Sequence, residues 1–356
     1  MPDDDGGEYQ PPSIAELQDW DKLLQAFQTK DYSMVANLAT PLGYDFVEFT
    51  DLVDNQLYYC LWRKSTSTNY WGTYVFNTNP CHSNLIIQST HPRKDLNTGK
   101  QAVHIFTNIG ANAVMIAGAK RCNSTDFSIC DGVTSACLAG PATEPFRVSD
   151  MAHVVGTIYQ KTTEFLFDNY PETYFAQLHG FSWDAGEPYV ILSNGNQSIP
   201  SGFDYLNKLR EELQIIDPSL SYITVGHLDL NWTSLLGTTN TQGRYINGSI
   251  DPCETPASAN SGRFLHIEQE RTKLRDDING WDKMAVALDR TFQDWTLTSN
   301  PIDSGFYRTR RTLVANTTLA IPAFAELIAG DSICLEPDFY VPLGSELEAR
   351  IENCIE

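Results

Sequence analysis

The stretch IIQSTHPRKDLNTG, from Ile86 to Gly99, begins as an apolar strand and stops in Thr90-His91-Pro92, with Asp95 four residues after His91. An imidazole and a carboxylate within reach of one another at the end of a buried strand have little use in a solvated loop, but they suit a metal ion. Residues of similar chemical use follow other apolar runs. Lys120 and Arg121 follow AVMIAGA, His179 and Gly180 follow TYFAQL, and Glu268 closes RFLHIE. Arg147, Asp150 and His153 stand at the start of a long helical pattern. In an open α/β sheet the carboxyl ends of the strands form one edge, and sites collect there. Two imidazoles, a carboxylate ligand, a free glutamate and arginines are therefore expected together. Such a set suits Zn2+ with a fourth position left for water. The ion lowers the pKa of that water to about 7 and polarises a carbonyl. A glutamate that is not a ligand can take the proton and deliver it to a leaving amine, and a guanidinium can stabilise the oxyanion.

Each of these residues has a plain structural reading as well, and it is their convergence that points to a site. His104 falls mid-helix and His82 beside a cysteine, which marks both as structural; His227 also follows a strand and is a reserve candidate. His266 and Glu268 are two apart on a strand and share a face. Asp150 and His153 are one helical turn apart, as a cap and its neighbour would be. No G-x-S-x-G nucleophile elbow occurs, which disfavours a serine hydrolase.

The elements that must position these groups alternate. NLIIQST, AVMIAGA, TYFAQLHGF, PYVILS, LSYITVG and RFLHIEQE read as strands, and KQAVHIFTNI, VSDMAHVVGTIYQKTTEFLF, GFDYLNKLREELQ and KMAVALDRTFQDW as helices, the second beginning at Ser149 or Asp150. Leu228 to Asn260 reads as a long polar loop. The alternation predicts an α/β fold: a mixed, largely parallel central sheet with helices on both faces. Residues 1–45 form an N-terminal segment, acidic and disordered over 1–12, then helical with Ser13 and Glu16 as a capping box. The α/β domain is expected over 46–300. Residues 301–356 read as an extension packed on it, stapled by Cys334 and Cys354, and no internal repeat is visible.

The chain has 356 residues, 42% hydrophobic and 19% charged, enough for a sizeable core. A net charge of −21 argues against nucleic acid and anionic membrane partners. No stretch is long and apolar enough for a transmembrane span. The start, MPDDDGGEYQPPS, has no apolar signal core, so a signal peptide is expected to have been removed or never to have been there. Eight cysteines without a CxxC, three of them within CNSTDFSICDGVTSAC, point to disulfides. The sequons at Asn123, Asn196, Asn231, Asn247 and Asn316 point to a secreted glycoprotein.

The layout of a histidine and a carboxylate close in sequence, a distant histidine in QLHGF and a glutamate in FLHIEQE resembles the zinc carboxypeptidase superfamily. It is nearest to its poly-γ-glutamate hydrolase and N-formylglutamate amidohydrolase-like members, over about residues 80–295. The resemblance implies a zinc carboxypeptidase-like (phosphorylase/hydrolase-like) fold with Zn2+ held by His91, Asp95 and His179. It implies that Glu268 is the catalytic glutamate, and that Arg121 or Arg147 meets the oxyanion or a substrate carboxylate. Asp150 and His153 would then contact substrate. The expected function is a secreted zinc-dependent hydrolase that cleaves an amide or peptide bond, γ-glutamyl linkages included, in a small substrate. The alternative is a secreted binding protein whose hydrolase site has decayed.

Overall fold

The computed structural model of the protein describes residues 1–52, 55–170 and 172–354. Its centre is a nine-stranded sheet. The strands are β1 (Tyr44–Thr50), β2 (Leu57–Arg63), β3 (Thr73–Asn77), β4 (His82–Ser89), β5 (Ala111–Ile116), β8 (Tyr174–Gly180), β9 (Val190–Ser193), β10 (Ile223–Val225) and β11 (Phe264–Gln269). A small ladder of β6 (Val133–Thr134) and β7 (Glu144–Pro145) lies apart. The spatial order is β1-β2-β3-β5-β4-β8-β11-β9-β10. The middle strands β5, β4, β8 and β11 are parallel, as are β9 and β10, while β1-β2-β3-β5 and the β11–β9 pair are antiparallel. The sheet is thus mixed with a parallel centre, as expected from strands alternating with helices.

Strand alternation sorts the apolar residues into two layers. Leu85, Ile87, Leu178, Leu265 and Ile267 pack under α3 (Thr98–Ile109), α5 (Tyr205–Ile216) and α7 (Ile278–Phe292). Ile86, Phe175 and Phe264 pack under α1 (Ile14–Gln28), α2 (Tyr32–Ala39), α4 (Ile158–Asn169) and α6 (Thr241–Ile246). Each fully buried Leu or Ile contributes roughly 1.5–3 kcal/mol, so register is strongly held. A slip of one residue would turn His179, His266 and Glu268 into an apolar layer. The capping box of α1 forms as the sequence predicts, with Ser13 N donating to Glu16 Oε2 at 2.7 Å and Glu16 N to Ser13 Oγ.

Several expectations are corrected. The helix expected from Ser149 or Asp150 starts only at Ile158, capped by Thr157. Gly156 just before it takes φ +70, and Asp150 and His153 stay in irregular turns where they make tertiary contacts. The loop 228–260 contains α6. The acidic start is not loose: Asp5 N and Gly7 N donate to Cys122 O and Asn123 O, both at 2.8 Å, and Tyr9 is buried. These bonds and one large apolar anchor offset a composition that favours disorder. Cys354 pairs with Cys81, not with Cys334, and so ties the C-terminus to the start of β4. The other pairs are Cys122–Cys137 and Cys130–Cys253, while Cys60 and Cys334 are free. Two sequons are unfit for a glycan in this fold. Asn123 is buried with Nδ2 on Asp3 O and Glu8 Oε2, and Asn247 is buried with Nδ2 on Asn194 O. Asn231 and Asn316 are exposed and Asn196 is half-buried.

The C-terminal part has its own core, including Trp295, Leu313, Ala325 and Leu327. It is a small β-coil. Strands β12 (Asp294–Leu297), β14 (Thr312–Ala315) and β16 (Ser332–Leu335) form one parallel sheet, and β13 (Gly305–Thr309), β15 (Phe324–Ala329) and β17 (Glu346–Ile351) another. Asp294 pairs with Thr312, and Thr312 with Ser332, so the chain advances about 20 residues per turn. The repeat is geometric: each turn needs only a few inward apolar residues, and their identities differ.

Candidate metal centre

The carboxyl ends of β4, β8 and β11 lie side by side. Gln88 is level with Gln177, and His179 with Glu268. Beyond β4 the chain folds back tightly, with Asp95 N donating to His91 O at 3.0 Å and Gly99 N to Pro92 O at 3.3 Å. A Cβ on Gly99 would come within 2.6 Å of Pro92 Cβ, so the turn needs a glycine there. The proline that ends the strand and the glycine that opens α3 together swing the Asp95 carboxylate back to His91. The residue after His179 is also a glycine, and the guanidinium of Arg275 occupies the space that a side chain at Gly180 would take. Arg275 donates to Gln269 O, Leu96 O and Phe181 O at 2.9–3.0 Å, which binds the three loops of the site together.

His91, Asp95, His179, His266 and Glu268 are all buried, none above 7% exposed. Asp95 Oδ2 lies 3.2 Å from His91 Nδ1 and 3.3 Å from His179 Nδ1. The far nitrogens of both rings are engaged elsewhere. His91 Nε2 donates to Asp150 Oδ1 at 2.7 Å, and His179 Nε2 to Gln177 Oε1 at 2.8 Å. Asp150 is itself held by Arg121, through Nε at 3.0 Å and Nη2 at 2.6 Å. With hydrogens on both Nε2 atoms, each neutral ring turns a lone pair at Nδ1 toward the same carboxylate oxygen. In that tautomer the two Nδ1 atoms and Asp95 Oδ2, which also accepts from Gly180 N at 3.3 Å, could share a cation. Ligand atoms of His91, Asp95 and His179 lie within 4.8 Å of one another, and so do those of His179, His266 and Glu268. Among the described residues, Glu268 Oε2 and His266 Nδ1 have no hydrogen-bond partner, and the closest ionic approach between the two residues is 3.9 Å.

That tautomer would suit an ion; in the metal-free site the contacts of the two rings to Asp95 are hydrogen bonds instead. Burial opposes ionisation of Asp95, but the charge of His91 and the hydrogen bond from His179 prevail and hold its carboxyl well below the usual range. Burial and Arg121 work against a charge on His91, yet Asp150 and Asp95 raise its pKa. Burial lowers His179, and lowers His266 further with the help of His179, so both rings stay neutral. Burial, followed by the charge of Asp95, lifts Glu268 to about 8. Carboxylates pushed this far apart in a small volume are a mark of functional sites.

The remaining candidates sort differently. Asp150 is buried behind His91. His153 stacks on Phe146 at 3.8 Å between ring centroids, with Nδ1 3.0 Å from Thr239 O, and burial takes its pKa down to about 3. Its ring centroid is 6.5 Å from that of His91. Arg147 is committed to the fold: its guanidinium meets Asp5, Glu144 at 2.7 Å, Cys122 O and Ser124 O. Three contributors were not singled out from the sequence. His266 was read as one half of a strand pair with Glu268. Gln177 begins a buried amide chain, taking 2.5 Å from Asn240 Nδ2 and giving to Gln88 Oε1 at 2.9 Å and Gln242 Oε1 at 3.2 Å. Its position two before His179, on the same strand face, is a signal that could have found it. Arg275 carries no local signal.

No protein-family model matches the chain, and no curated protein does. Among solved structures there is a slight likeness to a protein from Shewanella denitrificans OS-217 provisionally named a carboxypeptidase A. It is 14% identical, covering 73% of this chain and 68% of the other at a TM-score of 0.29. A likeness of that size carries no argument about activity.

Proposed function

We propose that the protein is a secreted, zinc-dependent hydrolase of an amide or peptide bond in a small substrate, γ-glutamyl linkages included. One observation carries the reading: His91 Nδ1 and His179 Nδ1 both lie 3.2–3.3 Å from Asp95 Oδ2, beside a buried glutamate that among the described residues has no hydrogen-bond partner on one oxygen. His91, Asp95 and His179 would hold the ion, two imidazoles and a carboxylate being a donor set that zinc favours. Bound there, zinc would polarise the carbonyl of the scissile bond and lower the pKa of a water. Glu268 takes the proton of the attacking water and returns it to the leaving nitrogen. Burial and the charge of Asp95 bring its pKa up to about 8, near enough to neutral for one group to serve as acceptor and then as donor. Asp150 fixes the His91 ring, and Arg121 keeps Asp150 ionised and in place. Gln177 does the same for His179, so both rings present Nδ1. Three disulfides support an oxidising compartment.

Metal analysis of the purified chain should find one zinc per molecule, lost in His91→Ala and in His179→Ala with the fold intact. Peptides of α and γ linkage, screened with product detection by mass spectrometry, should include a substrate that the zinc-loaded protein cleaves and both variants do not. Absence of stoichiometric metal after zinc reconstitution would overturn the proposal.

A further inference from the structure

The run Asp3-Asp4-Asp5 lies against the loops that carry the candidate metal centre. Lys94, between His91 and Asp95, has Nζ 3.3 Å from Asp4 Oδ2. Lys120, next to the Arg121 that holds Asp150, has Nζ 2.8 Å from Asp3 Oδ1. Two successive carboxylates of the chain thus meet two lysines from two different loops, each lysine adjoining a residue of the site. Among the neighbouring charges, Arg93 also attracts Asp3. This basic corner stands out on a chain of net charge −21.

The segment is held in two unlike ways. Its main chain is anchored by Asp5 N and Gly7 N on Cys122 O and Asn123 O, by Asn123 Nδ2 on Asp3 O at 2.6 Å, and by buried Tyr9. Its acidic side chains sit at the rim: that of Asp3 is 82% exposed in water, and that of Asp4 35%, with Oδ1 turned inward and, among the described residues, without a hydrogen-bond partner. Ion pairs this close to water contribute little and exchange readily. They are weak as fastenings, and the main chain does not need them. What they show is that this corner accepts a pair of neighbouring carboxylates.

We propose that Lys94 and Lys120 form an anion-binding rim beside the metal centre, that its ligand is an α-linked peptide segment with two adjacent acidic side chains, and that Asp3 and Asp4 occupy it as an intramolecular competitor. The rim as a binding site stands on its own; its role in choosing a substrate rests on the hydrolase reading above.

The test uses the full chain, stripped of metal with chelator, and a fluorescent Gly-Asp-Asp-Gly peptide followed by polarisation at low salt. Asp3→Asn/Asp4→Asn should bind the probe about tenfold more tightly than the unaltered chain, the effect of freeing two exposed pairs. Removal of residues 1–4, which leaves Tyr9 and the main-chain bonds of Asp5 and Gly7, should do the same. Adding Lys94→Ala and Lys120→Ala should abolish the gain, and a Gly-Asn-Asn-Gly probe should not bind. Equal affinity in all forms, or tight binding that survives loss of both lysines, would overturn the proposal. Turnover by the zinc-loaded protein is measured separately: probe binding that follows this pattern without any hydrolysis would uphold the rim and count against the hydrolase.

Discussion

Replacing Glu268 by Gln should flatten the pH dependence of stability in the metal-free protein. Glu268 is 7% exposed, with Oε2 unpartnered and Oε1 no closer than 3.9 Å to His266 Nε2. Burial, then the charge of Asp95, raises it from 4.5 to about 8. The unfolded chain releases this proton near the ordinary value, while the folded chain keeps it to about 8. Between those values the folded state binds more protons, so stability is full below the unfolded pKa and falls as pH rises through the folded one. At about 1.4 kcal/mol per tenfold, the ceiling is roughly 5 kcal/mol. Gln has the same shape and no proton to lose. At about pH 9 Glu268→Gln should therefore be more stable than the parent by roughly 2–5 kcal/mol, and at about pH 5 the two should agree within about 1 kcal/mol. In a chain this long that is a rise of a few degrees in Tm. Thermal and urea unfolding of chelator-treated protein across this range measures it. Parallel profiles would refute the reasoning, since they would mean that Glu268 ionises in the folded protein as it does in water. In zinc-loaded protein the same variant should keep its metal and lose about 10²-fold or more in turnover; near-parental turnover would remove Glu268 from the proton's path.

Gln177→Leu should weaken zinc binding about 10- to 100-fold in a chelator competition, because His179 loses the acceptor that turns Nδ1 inward; unchanged affinity would show that packing alone sets that ring. Arg147→Ala should lower stability by about 1–3 kcal/mol, since Cys122 O and Ser124 O lose their buried donor, and should leave turnover per folded molecule unchanged. A drop in turnover at full stability would return Arg147 to the site. Thiol titration of the denatured, unreduced chain should find two free thiols, Cys60 and Cys334. All eight reacting would contradict the three disulfides and the secretory reading.

The sequence by itself determined the strands of the sheet's parallel centre, most of the helices around it and the residues at the strands' carboxyl ends, because apolar runs and their stops are local properties. His91, Asp95, His179 and Glu268 were legible for that reason: each ends an apolar run or lies in the loop that follows one, and a parallel arrangement of those runs puts their ends on one edge. Tertiary structure decided what those residues are next to. Which ring nitrogen faces inward depends on Asp150 and Gln177, whose hydrogen bonds span 59 residues in the first case and are shared with Asn240, 63 residues away, in the second. Arg147 was expected to meet the oxyanion or a substrate carboxylate, and it is held by carbonyls that only the folded loops bring to it. Asp3 and Asp4 belong to a composition that favours disorder, and they are seated by partners more than 80 residues on. The coil of β12 to β17 repeats in space without repeating in letters. In each case the missing information is a long-range contact, whose free energy depends on burial and geometry that no local window of residues contains.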